Sequence, residues 1–331
     1  MVSQFMEPTI APLAPVLNNP AVITATHRFQ TAGEAASFSN RKGSIPLAYA
    51  AKDSVDLQSI EIADHDLDGS AGVLRAYNGH IGLIRLERIS LLQGGYASGM
   101  IAGLLIVGGA HVDEIIIRDC VYDRVKPITS TGDNYAAVMT AGGHAKGNPV
   151  PYGSCNKFTI QRVKASHALT AYPAGSTAYP NSDILVFESS FNGGLVDQCD
   201  LRHASDAGID RKGICRVQAT IVEDCRENFK TWQSNEDGDV YTRNPRFAHW
   251  QIMSEHSPTE QTVEFAEIVN TGDPTIPVVH FSNGPGTLRL NAVDFNVPDG
   301  QVLAKCDPVA FGSTIILPDR TITVTQSTVM L

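Results

Sequence analysis

The chain repeats a short pattern of hydrophobic and polar positions. Each copy has an aliphatic residue, two polar residues and then a small or apolar residue. The clearest copies are Leu86-Glu-Arg-Ile89, Ile117-Arg-Asp-Cys120, Ile160-Gln-Arg-Val163, Val196-Asp-Gln-Cys199 and Val222-Glu-Asp-Cys225. Each copy has the length of a strand, is rich in β-branched residues and is bounded by Gly, Asn or Asp. The pattern therefore predicts short strands joined by bends that hold the polar residues.

The spacing of these copies predicts a repeat architecture. Successive copies lie about 26 to 43 residues apart, and such periods are typical of solenoids, arrays and propellers. Helical periodicity is almost absent, which argues against helical repeats. A β-sandwich is the alternative, but it needs a strand about every 8–12 residues and antiparallel hairpins. We expect Cys120, Cys199 and Cys225 to lie in register inside stacked β coils.

Composition narrows the possible partners. The 331 residues are 43% hydrophobic and 18% charged, which predicts a folded chain with a substantial core. The net charge of −10 argues against non-specific nucleic-acid binding, because that requires a basic surface. No stretch of eighteen apolar residues occurs, so we expect no membrane span.

The chain reads as one domain with two terminal extensions. Residues 1–20 lack the basic and apolar regions of a signal peptide and predict an N-terminal arm. We assign residues 21–300 to the β domain and residues 301–331 to its C-terminal cap. A cytoplasmic, a phage-borne and a secreted protein with its signal removed are all compatible with this sequence.

Two consecutive segments carry a family resemblance. Residues 206–212 read Asp-Ala-Gly-Ile-Asp-Arg-Lys, and residues 221–228 read Ile-Val-Glu-Asp-Cys-Arg-Glu-Asn. This register resembles the pectate-lyase-like superfamily over roughly residues 55–300. The resemblance implies an all-β fold, a right-handed parallel β-helix with long loops on one face. It is weak for activity, because lyases, hydrolases, epimerases, phage tailspikes and adhesins share the scaffold.

The resemblance implies a calcium or acid site at Asp206 and Asp210. In many superfamily members the matching loop has a further Asp where this chain has Ala207, and its carboxylates hold Ca²⁺ or protonate a glycosidic oxygen. Calcium takes six to eight oxygen ligands, so Asp206 and Asp210 supply only part of a cage. The structural alternative is a turn that closes a coil corner.

The next strand adds further candidates. Neighbouring coils lie about 4.8 Å apart, so we expect residues 206–212 to adjoin Asp224, Glu227, Lys230 and Trp232. Lys212 or Lys230 is the candidate base for β-elimination, and Arg211 the partner of a carboxylate or leaving group. His203 is a candidate acid or base. A ladder of mutually paired surface charges is the alternative.

Two turn-rich inserts, Pro127 to Ser154 and Ala168 to Ser182, are expected to wall a groove. Tyr172 and Tyr179 lie in the second insert and suit stacking on sugar rings, as does Trp232. Loops without a function, and burial of Trp232 in the core, are the alternatives.

Several other chemistries find no support. The six cysteines include no Cys-x-x-Cys pair or zinc spacing, which indicates buried free thiols. The acidic run Asp64-His-Asp-Leu-Asp68 is followed by Arg75 where an EF-hand requires Glu. No phosphate loop or dinucleotide fingerprint is present, so we expect no nucleotide or organic cofactor.

These observations predict a carbohydrate-active protein whose partner is a polysaccharide. Cleavage of a uronate-containing glycan by β-elimination ranks first. The alternatives are hydrolysis by an acid pair from Asp206, Asp210 and Asp224, and a tailspike-like protein that binds glycan without cleaving it. A monomer and a homotrimer both remain open.

Overall fold

The computed structural model describes most of the chain after residue 55. The described residues are 49–50, 56–68, 72–77, 79–92, 101–124, 128–129, 135–140, 144–145, 148–149, 153–171, 181–255 and 257–331. Regular structure in these ranges is β-strand, apart from one 3₁₀ turn at Pro308–Ala310. No helix in the described ranges is long and apolar enough to cross a membrane.

The strands are short and follow one another closely. The first are β1 (Tyr49–Ala50), β2 (Asp56–Asp68), β3 (Leu74–Tyr77), β4 (His80–Leu92), β5 (Ile101–Ala102), β6 (Leu105–Gly108), β7 (His111–Arg118), β8 (Val121–Asp123), β9 (Ile128–Thr129), β10 (Tyr135–Thr140), β11 (His144–Ala145) and β12 (Asn148–Pro149). The middle strands are β13 (Ser154–Gln161), β14 (Lys164–Ala168), β15 (Thr170–Ala171), β16 (Ser182–Phe187), β17 (Gly194–Asp197), β18 (Asp200–Ala204), β19 (Ala207–Arg211), β20 (Cys215–Gln218), β21 (Thr220–Glu223) and β22 (Glu227–Thr231). The last are β23 (Asn235–Arg243), β24 (Ala248–Met253), β25 (Thr259–Val269), β26 (Val279–Ser282), β27 (Gly286–Leu290), β28 (Val293–Asn296), β29 (Val302–Cys306), β30 (Ser313–Ile316), β31 (Thr321–Val324) and β32 (Thr328–Met330).

These strands form two large sheets. Sheet A runs β1-β3-β6-β10-β16-β19-β22-β24-β26-β29-β32. Sheet B has two rows: β2, β4, β7, β13, β17 and β20 lie in the first, and β8, β14, β18 and β21 in the second. The long strands β4, β23 and β25 extend through both rows. Almost every pairing is parallel.

The chain advances one rung per circuit through the sheets. From β19 in sheet A it passes to β20 and β21 in the two rows of sheet B and returns to sheet A as β22, which pairs with β19. This path confirms the all-β fold with parallel strands and fits a β-helix. Antiparallel pairing, on which a β-sandwich depends, occurs in these two sheets only at the C-terminal end of the described chain. The hand of the coil stays a prediction.

A continuous apolar core fills the inside of the stack. Aliphatic residues occupy equivalent positions on successive rungs, and all are buried: Ile62, Leu86, Ile117, Ile160, Val196 and Val217. The rings of Phe229 and Trp250 stack with centroids 5.6 Å apart. Because like residues superpose along the axis, each rung buries its apolar face against the next.

The recurring polar residues form the predicted bend between the two rows of sheet B. The third residue of the first four copies has a positive φ of 51–55°: Arg88, Asp119, Arg162 and Gln198. Pairing between rungs occurs for Arg162, which donates hydrogen bonds of 2.6 and 2.8 Å to Asp119, whereas Gln198 bonds its chain neighbour Asp197. The repeat thus marks a bend in the chain and a ladder of paired charges on its surface.

The fifth copy lies at a different corner from the first four, so the prediction that Cys225 shares a register with Cys120 and Cys199 is wrong. Asp224, with φ 49°, lies at the bend that follows β21 and leads back to sheet A. The register of β8, β14, β18 and β21 aligns Cys120 with Cys199 but not with Cys225. The circuit from β18 to β21 is short, so the same four-residue pattern falls one corner later. All six thiols are free and buried, as predicted.

The C-terminal end closes with antiparallel pairing. β29 and β30 continue the parallel stack, whereas β31 pairs antiparallel with β30, and β32 with β29. The domain boundaries stay predictions, and the predicted arm at residues 1–20 lies outside the described residues.

Candidate functional site

The predicted site lies on sheet A, where three rungs adjoin. Asp210 on β19 pairs with Lys230 on β22 and with Val186 on β16. The expected adjacency of the two charged segments is therefore confirmed. Successive side chains on a strand alternate between faces, so Asp210 and Lys230 point away from the core.

The glycine between the two aspartates is required by close packing. A Cβ on Gly208 would lie 2.3 Å from Val222 Cγ1 and 2.8 Å from the carbonyl oxygen of Asn228. No side chain fits such a gap. This packing fixes the backbone between Asp206 and Asp210.

Four acidic side chains form a buried group that we call the carboxylate cluster. Its members are Asp183, Asp206, Asp210 and Glu227, each at most 5% exposed. The carboxylate of Asp183 accepts a 2.7 Å hydrogen bond from the backbone N–H of Ala207. Bringing four acids together away from water disfavours their charged forms.

Cationic side chains neutralise part of this cluster. Lys230 Nζ lies 3.4 Å from Asp206 Oδ2, and Arg226 Nη1 lies 2.9 Å from Glu227 Oε1. Lys212 Nζ donates a 2.8 Å hydrogen bond to Glu188 Oε1. Five of the acids and bases that the sequence indicates thus lie in one group with Asp183 and Glu188: Asp206, Asp210, Glu227, Lys212 and Lys230.

Burial dominates the electrostatics of the cluster. It raises the pKa of Glu227 to about 8, with the Asp206 carboxylate adding to the effect. Burial and the charges of Asp206 and Asp210 raise the pKa of Asp183 well above its usual range. The pKa of Asp210 is also raised, chiefly by burial. The raised pKa of Glu227 favours its protonated form.

Trp232 joins the cluster to a surface groove. Its indole Nε1 donates a 2.7 Å hydrogen bond to Asp210 Oδ1. The ammonium groups of Lys212 and Lys230 lie 5.9 and 5.7 Å from its ring centroid, within the range of cation–π attraction. The adjacent groove has a volume of about 620 Å³, and its polar lining includes Glu188, Lys212, Trp232, Gln233, Glu255 and Ser257.

Arg211 does not face this site, which corrects the prediction for it. It alternates with Asp210 along β19 and points into the coil, where it is fully buried. Its Nη1 bonds Asp237 at 2.8 and 3.0 Å, and its Nη2 bonds Gln261 Oε1 at 2.7 Å. The structure makes Arg211 a partner of interior polar groups.

His203 and Asp224 lie in a separate ladder at the corner before sheet A. His203 Nδ1 lies 2.7 Å from Asp224 Oδ2, and its ring stacks on His167 at 4.7 Å between centroids. Arg246 Nε lies 3.7 Å from Asp224. These half-exposed contacts match the alternative of paired surface charges, and a role in chemistry for either residue stays a prediction.

Sequence reasoning missed Asp183 and Glu188. Both lie one rung before the predicted segment, on and just after β16. The alignment of β16 with β19 could have revealed them, because it places the acids of both strands on one surface. The long insert before β16 makes that alignment difficult to recognise in the sequence. Tyr172 and Tyr179 lie outside the described residues.

The cluster suits a calcium ion poorly. Lys230 and Arg226 already occupy positions beside Asp206 and Glu227, and a protonated carboxyl is a weak ligand for a hard cation. Calcium binding at Asp206 and Asp210 therefore stays a prediction without support from the geometry.

Comparison with known proteins adds no assignment: no family model matches the chain, and neither a curated protein nor a solved structure matches it.

Proposed function

We propose that the chain binds a glycan in the groove beside Trp232 and hydrolyses a glycosidic bond there. Asp210 is the general acid, and Glu188 is the second carboxylate. Hydrolysis of this kind requires two carboxyl groups in unlike environments, one kept protonated and one ionised. The proposal rests on one observation above all, the buried Asp210 that is hydrogen bonded to an indole at the groove wall.

The two carboxyl groups lie in different environments. Burial raises the pKa of Asp210, which favours the proton-donating form. Glu188 lines the groove, and its carboxylate accepts a 2.8 Å hydrogen bond from the Lys212 ammonium group. Trp232 offers an aromatic face of the kind that stacks on sugar rings.

Elimination is less well supported by the same contacts. A lysine base has to lose its proton near neutral pH, which requires a lowered pKa. Burial lowers the pKa of Lys212, but the nearby carboxylates of Asp210 and Glu188 raise it by more. The net effect is a raised pKa. The inward position of Arg211 removes the predicted partner for a substrate carboxylate.

The test is a panel of neutral and uronate-containing glycans incubated with the full chain. Hydrolysis produces new reducing ends without the ultraviolet absorbance of an unsaturated uronate. We expect D210N to abolish this release while D119N, which alters an acid paired with Arg162 on sheet B, retains it. Unsaturated products would overturn hydrolysis in favour of elimination. Binding without any cleavage would show a glycan-binding protein instead.

A further inference from the structure

A second polar cluster lies on sheet B, in a region that the proposed function does not use. His80 on β4 pairs in register with His111 on β7, which pairs with Ser154 on β13. Asp113 follows His111 by two residues and therefore shares its outward face. Asn156 lies beside Asp113 on the next rung. Parallel stacking thus brings two imidazoles and a carboxylate together.

The donor atoms of this group converge. His80 Nε2 lies 2.9 Å from Asp113 Oδ2, and His111 Nε2 lies 3.5 Å from Asp113 Oδ1. One ligand atom from each of the three residues lies within 4.8 Å of the others, and no other such group of His, Cys, Asp or Glu occurs in the described part of the chain. Two ligands on a tetrahedral ion with bonds of about 2.0–2.2 Å are roughly 3.5 Å apart.

The surroundings of His111 orient it for metal binding. Its Nδ1 lies 2.8 Å from Ser154 Oγ, and its Nε2 lies 3.3 Å from the amide nitrogen of Asn156. The contact with Ser154 holds the ring through Nδ1, while Nε2 faces the Asp113 carboxylate. A histidine that ligates through one nitrogen and is held through the other has the arrangement common in metal sites.

We propose that His80, His111 and Asp113 bind one divalent transition-metal ion of the zinc type. Two imidazole nitrogens and one carboxylate oxygen suit Zn²⁺, Co²⁺ or Ni²⁺, whereas Ca²⁺ and Mg²⁺ prefer oxygen ligands throughout. Three protein ligands leave a fourth position for water. Because His80 and His111 belong to successive rungs, the ion links two coils of the stack.

This linkage predicts a gain in stability as well as binding. An ion that binds the folded chain and not the unfolded one stabilises it by RT ln(1 + [L]/Kd). The midpoint of thermal unfolding should therefore rise with metal concentration. The effect is independent of glycan chemistry, since the carboxylate cluster is on the other sheet.

The experiment titrates untagged full-length chain, first treated with chelator, with Co²⁺ and Zn²⁺. We expect one ion per chain, a visible Co²⁺ absorption band and a higher unfolding midpoint. H111A and D113N should each weaken binding by at least tenfold. H203A, which removes a histidine from the corner ladder, is the matched control and should bind like the parent. Absence of saturable binding, or equal loss in H203A, would overturn the site.

Discussion

Trp232 and Asp210 are joined across adjacent rungs by a 2.7 Å hydrogen bond from the indole to the carboxylate. Burial raises the pKa of Asp210, and this bond acts in the opposite direction because it stabilises the charged form. Replacing Trp232 with Phe keeps the ring and removes the donor. We expect kcat/KM to fall by about tenfold, the effect of losing roughly 1.4 kcal/mol, and the alkaline limb of its pH profile to move to higher pH.

The matched control for W232F is W250F. Trp250 is fully buried, and its Nε1 has no hydrogen-bond partner among the described residues, so this change alters packing and leaves the groove intact. W250F should lower the free energy of unfolding without moving the pH profile. An unchanged profile in W232F would rule out Asp210 as the titrating acid.

Removing the buried charge of Arg211 should destabilise the fold. In R211M the carboxylate of Asp237, itself fully buried, loses its cationic partner. Breaking a buried pair from one side costs about 3–5 kcal/mol, which denaturant unfolding would measure. The double variant R211M/D237N removes the stranded charge and should recover much of the loss.

Activity separates this structural role from a catalytic one. Because Arg211 points into the coil, the folded fraction of R211M should retain its glycan turnover once a substrate is known. Unchanged stability combined with lost turnover would instead place Arg211 at the surface, against the interior contacts described above.

The six cysteines should be unreactive in the folded protein. All six side chains are buried, and burial raises the thiol pKa of Cys120, Cys155, Cys199 and Cys225 to about 12. Thiolate is the reacting species, so Ellman's reagent should label less than one thiol per native chain and all six after denaturation. Stoichiometric labelling without unfolding would show a coil that opens readily.

The sequence predicts the fold better than it predicts the side-chain network. Register fixes which strands adjoin, so the pairing of Asp210 with Lys230 follows once the repeat is recognised. The inward direction of the Arg211 side chain follows from its alternation with Asp210 along the strand. The hydrophobic and polar pattern alone does not reveal it, because a charged residue there occupies a core position. Asp183 escapes prediction because a long insert separates its strand from the preceding copy.

The pH dependence of stability tests the burial of Glu227. Its pKa rises from 4.5 in the unfolded chain to about 8 in the fold. Between these values the folded state binds more protons, so its free energy of unfolding falls as pH rises. The contribution is complete below the unfolded pKa and is lost as pH passes through about 8. At about 1.4 kcal/mol per pKa unit, the loss amounts to several kcal/mol.

In the variant E227Q an amide that stays neutral at every pH replaces the carboxyl group and resembles its protonated form. We expect it to match the parent in mildly acidic solution and to be more stable than the parent in alkaline solution, as followed by denaturant unfolding across that range. Glu223 provides the control, because it is only partly buried and bonds Arg202 at 2.7 Å. E223Q should change stability by about 0–1 kcal/mol with the parent's pH slope intact. An E227Q variant that kept the full slope would show that other members of the carboxylate cluster carry the proton.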